Sequence, residues 1–359
     1  MRRREPEIGQ REIEEGPDVG DVRAEHEADP ESRPRTRRKR LGVIGTFVWD
    51  VIYGRDPRDT PVEEWGGIAY ALSALDAALD DDWEIVPIVK VGDDLAARAR
   101  DFLRTLRRLA PDAAVVEVPY PNNRVELRYF SDERRTERLI GGVPGWSWLG
   151  LKPLLHGIDA LYVNLISGFE LDLETAQLLR QHFRGPIYCD LHSLVLAVQP
   201  SGARVPQPLP NVAEWCRCFD LLQVNEEELA MVAPDPMTLA ATALGAGMRC
   251  LVVTLGSRGL VYFAAPDFER LVAPSRGTLG EATGPVRTAL VPAALTRTRA
   301  PGDPTGCGDV WGATYFSRLV AGDKFADAMR AAVRAAARNV EHRGATGLAH
   351  HLRGELSPT

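Results

Sequence analysis

Apolar residues recur along the chain in two alternating rhythms, and from residue 41 onward these set out most of its elements. Leu41-Gly42-Val43-Ile44-Gly45-Thr46-Phe47-Val48-Trp49-Asp50 is a nearly unbroken apolar run that reads as a buried strand ending at Asp50. Residues 68–79, opened by Gly66-Gly67, place apolar side chains at helical spacing. A strand over 83–91 and a helix over 93–109 with a basic outer face follow. This is the strand–helix–strand rhythm of a parallel sheet. Between 114 and 140 the rhythm changes. Residues 115–118, 124–130 and 136–140 alternate polar and apolar positions around the turn signals Pro121-Asn122-Asn123 and Ser131-Asp132. Such alternation predicts antiparallel strands with one wet face. The parallel pattern resumes with a strand at 160–165, a helix at 173–183 and a strand at 186–191. Residues 199–210 are Pro-rich and read as an irregular loop. A strand at 219–225 then runs into an acidic helix start. Residues 250–263 form two strands about Gly256-Ser257-Arg258-Gly259, and helices cover 310–321 and 326–342.

Composition bounds this picture. The chain has 359 residues, 45% hydrophobic and 26% charged, which suits one large or two ordinary globular domains. Residues 1–40 hold eleven Lys/Arg and eleven Asp/Glu with little to bury, so a disordered charged tail is expected there, with frayed residues at 350–359. A net charge of -7 offers no basic surface for nucleic acid. No apolar run has the length of a membrane span, and Met1-Arg2-Arg3-Arg4-Glu5 leads into more charge rather than a signal core. Five scattered cysteines (Cys189, Cys216, Cys218, Cys250, Cys307) read as free thiols, and the expected location is the cytoplasm.

Chemistry concentrates in Ala300-Pro301-Gly302-Asp303-Pro304-Thr305-Gly306-Cys307-Gly308-Asp309-Val310-Trp311-Gly312-Ala313. Gly306, Cys307 and Gly308 tolerate close backbone approach and lead through Asp309 into a helix. A helix start leaves free N–H groups aimed at one point, with partial positive charge behind them, so the turn is an anion site. A carboxylate there repels an anion. It makes sense where Asp309 takes a proton from a hydroxyl while the amides hold the phosphoryl group under attack. Other polar residues gather at strand ends: Asp50, Asn164, Glu170 and Asp190-Leu191-His192-Ser193. Asn225 and Glu228 have capping-box spacing. Thr254, Gly256 and Gly259 also fit a plain glycine hairpin. Gly42 and Gly45 lack the dinucleotide spacing, and both the Walker loop and the Gly-x-Ser-x-Gly elbow are missing from the sequence.

The Asp303-to-Asp309 run resembles the C-terminal signature of the ribokinase (PfkB) family of sugar and nucleoside kinases. Weaker motifs follow the family's order from about residue 41 to 349. The resemblance implies a three-layer α/β/α sandwich with a central, mostly parallel sheet. A small β lid would come from about 50–62 and 114–140, on a kinase domain spanning 41–349. It implies ATP-dependent phosphorylation of a hydroxyl on a small sugar or sugar-like substrate. Asp309 would be the base, and Gly306, Cys307 and Gly308 the anion hole. Asp50, Gly66, Gly67, Asn123, Asn164 and Glu170 would serve the substrate, with Arg124 a further candidate. Asn225, Thr254, Gly256, Gly259, Gly344 and Ala345 would serve the nucleotide. Glu228 would act on Mg²⁺ through water, and Asp303 and Thr305 would help hold an activating K⁺. The lid would offer a homodimer contact. Two departures stand against ribose itself. Ile68-Ala69-Tyr70 follows the di-glycine in place of Lys-Gly-Ala-Asn, and Asp190-Leu191-His192-Ser193 replaces Asp-x-Asn-x-Arg. An adenosine-type nucleoside kinase is the nearer alternative, with Phe47, Trp49, Tyr53 and Trp65 available to stack a base. A non-catalytic sugar or nucleotide sensor is the more distant one.

Overall fold

The structure, a computed structural model, describes residues 37–53, 60–129, 135–271, 284–296 and 302–355. The strands are β1 (Lys39–Tyr53), β2 (Val62–Gly67), β3 (Trp83–Gly92), β4 (Val116–Val118), β5 (Arg124–Tyr129), β6 (Arg135–Ile140), β7 (Ala160–Asn164), β8 (Ile187–Asp190), β9 (Leu196–Val198), β10 (Arg204–Pro206), β11 (Leu221–Asn225), β12 (Cys250–Thr254), β13 (Leu260–Ala264) and β14 (Arg287–Val291). The helices are α1 (Ile68–Ala78), α2 (Ala96–Arg104), α3 (Trp148–Leu151), α4 (Leu173–His182), α5 (Val212–Cys218), α6 (Glu226–Val232), α7 (Pro236–Gly245), α8 (Cys307–Val320), α9 (Phe325–Asn339) and α10 (Leu348–Arg353).

The main sheet runs β14-β13-β12-β11-β8-β7-β1-β3-β4. It is parallel except at β13 and β14. Two apolar layers cover it, as continuous apolar strands require. One joins Val43, Ile85, Tyr162 and Tyr188 to α1, α8 and α9. The other joins Ile44, Leu161, Val163 and Leu251 to α4, α5 and α7. The expected sandwich with a central mostly parallel sheet is therefore the observed fold.

β1 ties this sheet to the lid. Its first half pairs in parallel with β3 and β7, from Leu41 opposite Ile85 and Ala160. Its second half leaves the sheet and pairs antiparallel with β2 and parallel with β5, to which β6 adds. A small apolar cluster of Val48, Val125, Leu127, Leu139 and Ile166 sits under the lid. Asp50 thus lies within a strand, opposite Glu64 and Val125, rather than beyond a strand's end. The di-glycine closes lid strand β2 as well as opening α1.

Several expectations need correction. β1 begins at Lys39, inside the segment read as tail, and Lys39 and Arg40 pair with Trp83 and Glu84. The rest of that tail, 1–36, lies outside the described residues, as do lid residues 54–59 and 130–134, Ala300-Pro301 of the signature, and 356–359. β4 is not in the lid; it extends the main sheet, parallel to β3. The helix expected over 93–109 covers only Ala96–Arg104. Residues 350–353 are not frayed but finish α10, whose Arg353 is paired with buried Asp76. Finally, β9 and β10 form a hairpin beginning just before the segment read as irregular loop. All five cysteines are free, and four are buried.

Candidate active site

The C-terminal ends of β1, β7 and β8, the lid and the start of α8 enclose a cleft of about 1030 Å³. Asp50 and Asp309 both line it, together with Gly67, Tyr70, Arg204 and Gly306.

Gly306 caps α8 with a left-handed backbone (φ 74°) and no side-chain cap. A Cβ there would fall 2.2 Å from the Tyr70 ring, so only glycine fits. The Cys307 N–H is already committed, donating to the Pro304 carbonyl at 3.1 Å. That leaves the N–H groups of Gly308 and Asp309 as the orphan donors of the first helical turn. From beneath, Asn339 on α9 donates through Nδ2 to the Thr305 carbonyl (2.8 Å) and Cys307 Sγ (3.3 Å). Gln223 Nε2 donates to the Gly308 carbonyl (3.2 Å) and to Asp190 (3.0 Å), while Tyr188 donates to Gln223 Oε1 (2.6 Å).

Asp309 accepts a 2.6 Å hydrogen bond from Asn164 Nδ2 at the end of β7. Burial pushes its carboxyl up to about 7, and the Asn164 bond holds it back from rising further. Asp50 is pushed up to about 8, first by burial, then by the nearby charges of Glu64, Glu137 and Asp309, with Arg204 opposing. Gly66 makes room for it: a Cβ there would sit 1.9 Å from Asp50 Oδ2. Gly67 has φ 53° and turns the chain from β2 into α1.

Three residues expected at the substrate are engaged elsewhere, and none of them lines the cleft. Asn123 spends both ends of its amide on Val143, donating to its carbonyl and accepting from its N–H, each at 3.1 Å. It braces the lid and does not line the cleft. Glu170 accepts from Thr46 (2.8 Å), the Ser167 N–H (2.6 Å) and the Gly168 N–H (3.0 Å), so its carboxylate fixes the turn after β7. Asn164 likewise donates to Asp309. Arg124 pairs with Asp94 at 2.7 Å. His192 lines the cleft with φ 42° and contacts Ser193 Oγ at 3.0 Å, but Asp190 is bonded to Gln223, so no triad forms.

Of the residues expected at the nucleotide, Asn225, Thr254, Gly256 and Gly259 lie at the ends of β11 and β12, where Asn225 pairs with Thr254. Asn225 and Glu228 form the reciprocal capping box. Glu228 is nonetheless buried with its carboxyl at about 8, raised mainly by burial and also by Asp309. Arg258 pairs with Glu226 and so ties the Gly256–Gly259 turn to the start of α6. Gly256 faces open space, whereas a Cβ on Gly259 would strike the Val291 carbonyl. Gly344 packs against Glu64 of β2, and the Ala345 carbonyl accepts from Ser73 on α1. The 344–345 loop therefore sits against β2 and α1. Asp303 accepts from the Thr305 N–H at 2.9 Å, and both residues line the cleft.

No described group of three or more His, Cys, Asp or Glu residues closes around a metal position. Burial raises the Asp190 carboxyl, and the charges of Glu228 and Asp309 raise it further. Sequence reasoning missed Tyr70, Glu137 and Arg204, which line the cleft, and Gln223 and Asn339, which brace the turn from beneath. No local pattern in their elements marks these positions.

Residues 194–351 match the family model described as pfkB family carbohydrate kinase. A search of curated proteins finds no match. Among solved structures, the chain is similar to an Arabidopsis thaliana ribokinase complexed with ribose and ATP, at 16% identity and a TM-score of 0.59, covering 88% of this chain and 99% of that one. A Burkholderia thailandensis nucleoside kinase in complex with inosine gives 15% identity and 0.59, covering 86% and 94%. A pyrophosphate-dependent kinase in the ribokinase family, complexed with a pyrophosphate analog and myo-inositol, gives 15% and 0.62, covering 85% and 96%. The chain is thus similar to pfkB family carbohydrate kinases over residues 194–351, and it shares its fold with ribokinases and a nucleoside kinase.

Proposed function

We propose that the protein transfers the terminal phosphoryl group of ATP to a hydroxyl of a small sugar or sugar-like polyol, with Asp309 as general base. One observation carries this reading: a buried carboxylate, held by Asn164, stands at the uncapped start of α8 in a cleft that also holds Asp50. Asp50 orients the acceptor, Asp309 takes the hydroxyl proton, and the Gly308 and Asp309 amides stabilise charge on the transferring group. Mg²⁺ would sit beside Glu228, reached through water, and would neutralise phosphate charge. Asp303 and Thr305 remain the residues for K⁺. The ribose- and ATP-bound neighbour supports ATP as donor. The pyrophosphate-dependent neighbour makes pyrophosphate the comparison to run.

The nucleoside reading finds less support. Phe47, Trp49 and Trp65 are buried against one another, with centroids 5.0 and 4.9 Å apart, and none lines the cleft. Tyr53 is covered by Arg128. A pure sensor would gain by losing the Asp309 charge beside its anion site. The test is a turnover screen of pentoses, hexoses, cyclic polyols and nucleosides, each with ATP and with pyrophosphate. Turnover with a sugar or polyol and ATP is the expected result. Preference for nucleosides, or no turnover with any acceptor, would overturn the proposal.

A further inference from the structure

The acceptor end of the cleft contains a residue that no motif pointed to. Arg204, on β10, is only 3% exposed along its side chain, yet it lines the cleft. Its Nη2 donates to the carbonyls of Ile166 and Ser167, each at 2.9 Å. Its Nη1 stands 3.7 Å from Glu137 Oε2 on lid strand β6, and its Nε is buried with no hydrogen-bond partner. The hairpin that carries it is fastened to the lid. The Leu139 N–H donates to the Gly202 carbonyl at 2.9 Å, and Arg138 Nε donates to the Ser201 carbonyl at 2.7 Å. Gly202 is required there (φ 84°), since a Cβ would lie 2.7 Å from the Leu139 carbonyl.

The surrounding charge limits what can bind. Asp50, Glu137, Glu227, Asp303 and Asp309 line the cleft, and Arg204 is its one guanidinium among the described residues. Recognition of a phosphate or carboxylate calls for a cation with donors to spare. Here Nη2 is spent on two carbonyls, and Nη1 faces a carboxylate. A hydroxyl suits the arrangement better, because it needs only one donor, the Nη1 N–H, and can itself donate to Asp50 or Glu137, which an anion cannot do.

We propose that Arg204, with Asp50 and Glu137, is a specificity-determining element that selects an uncharged polyol as acceptor and rejects sugar phosphates and sugar acids. This rests on the phosphotransferase reading for its biological meaning, but acceptor binding can be measured without phosphoryl transfer. The full chain would be titrated calorimetrically with D-ribose, D-fructose, myo-inositol, fructose 6-phosphate and gluconate, and assayed with the same compounds and ATP. The expected result is binding of at least one neutral polyol, with fructose 6-phosphate and gluconate weaker by about a hundredfold or more, the cost of placing an anion against a cleft wall lined by carboxyls. Arg204→Met should weaken that polyol roughly 10- to 100-fold in Kd and KM, the worth of a charge-assisted hydrogen bond, with kcat changed much less. Glu137→Gln, a change at the lid surface that leaves the hairpin bonds in place, should narrow the gap between fructose 6-phosphate and fructose by about tenfold, since it removes one repelling charge. Tighter binding of either anion than of every neutral polyol would overturn the proposal. So would no binding of any neutral polyol, or both variants keeping wild-type affinities. Binding that follows the expected pattern without turnover would instead sink the kinase reading and leave the selectivity standing.

Discussion

On the proposed reading Asp309 is the general base, and a base must be ionised to work, a condition its raised carboxyl meets only near neutrality. With its carboxyl raised to about 7 by burial, kcat/KM of the free enzyme should climb as pH rises from 5.5 through about 7, then level. Asp309→Asn keeps the fold and the amides but removes the base. Its kcat should fall by roughly two to four orders of magnitude while ATP affinity stays within a few-fold; turnover within tenfold of wild type would refute the role. Asn164→Ala removes the hydrogen bond that restrains the Asp309 carboxyl. The acid limb of the pH–rate profile should then move to higher pH, with activity partly recovered in alkaline buffer. A merely structural loss would lower the whole profile without shifting it. The sequence announced Asp309 because its neighbours in the chain are its neighbours in space. It could not announce Asn164 as the partner, since 145 residues separate them. Asn123 and Glu170 show the converse error. Each is a polar residue near a strand end, and each is consumed by nearby backbone groups that no spacing rule reveals.

At the level of elements, the anion turn depends on the conformation of one glycine and not of the next. Gly306 has φ 74° and lies against the Tyr70 ring, whereas the nearest atom to a Cβ on Gly308 would be 3.5 Å away. Gly306→Ala should therefore lose about 1–2 kcal/mol to the left-handed backbone alone, with the Tyr70 clash added. Gly308→Ala, in the first turn of α8, should be neutral or stabilise by up to about 1 kcal/mol. Chemical denaturation of the two variants compares them directly, and equal stability would show that the turn is not built as described. The same contrast explains what was readable in the elements. Parallel strands and their helices were legible because their side-chain periodicity matches their burial. β4 was misassigned because three alternating residues look alike on a sheet edge and in a lid; only the pairing with β3 decides. The β9–β10 hairpin was read as irregular loop because prolines dominate its surroundings. Its place is fixed from outside, by the backbone of Leu139 and the side chain of Arg138.

Across the whole molecule, the cleft stores charge that the fold tolerates poorly, and stability should report it. The carboxyls of Asp50, Glu228 and Asp309 stand at about 8, 8 and 7 in the folded chain. Their ordinary values are 3.8, 4.5 and 3.8. A raised carboxyl favours the folded state when protonated, so that contribution is complete below about pH 4 and is lost as pH rises through 7 to 8. Asp94, Asp235 and Glu355 have carboxyls held below their ordinary range by hydrogen bonds, and they act in the opposite sense. Their contribution is present above about pH 4 and is lost on further acidification. The two trends place the stability maximum of the ligand-free chain on the acid side of neutrality. In metal-free buffer, Tm should fall by several degrees between pH 6 and pH 8.5, a change readable by scanning calorimetry. Asp309→Asn should flatten that fall, because one of the three ionisations is gone and Glu228 and Asp190 each lose a repelling neighbour. Adding Mg²⁺ with ATP should flatten it too, because a cation bound only to the folded state offsets the same repulsion. A Tm that is level or rising over this range would mean that the three carboxyls are better compensated than their burial implies. The site would then lack the excess negative charge that gives a cation and a donor phosphate their reason to bind there together.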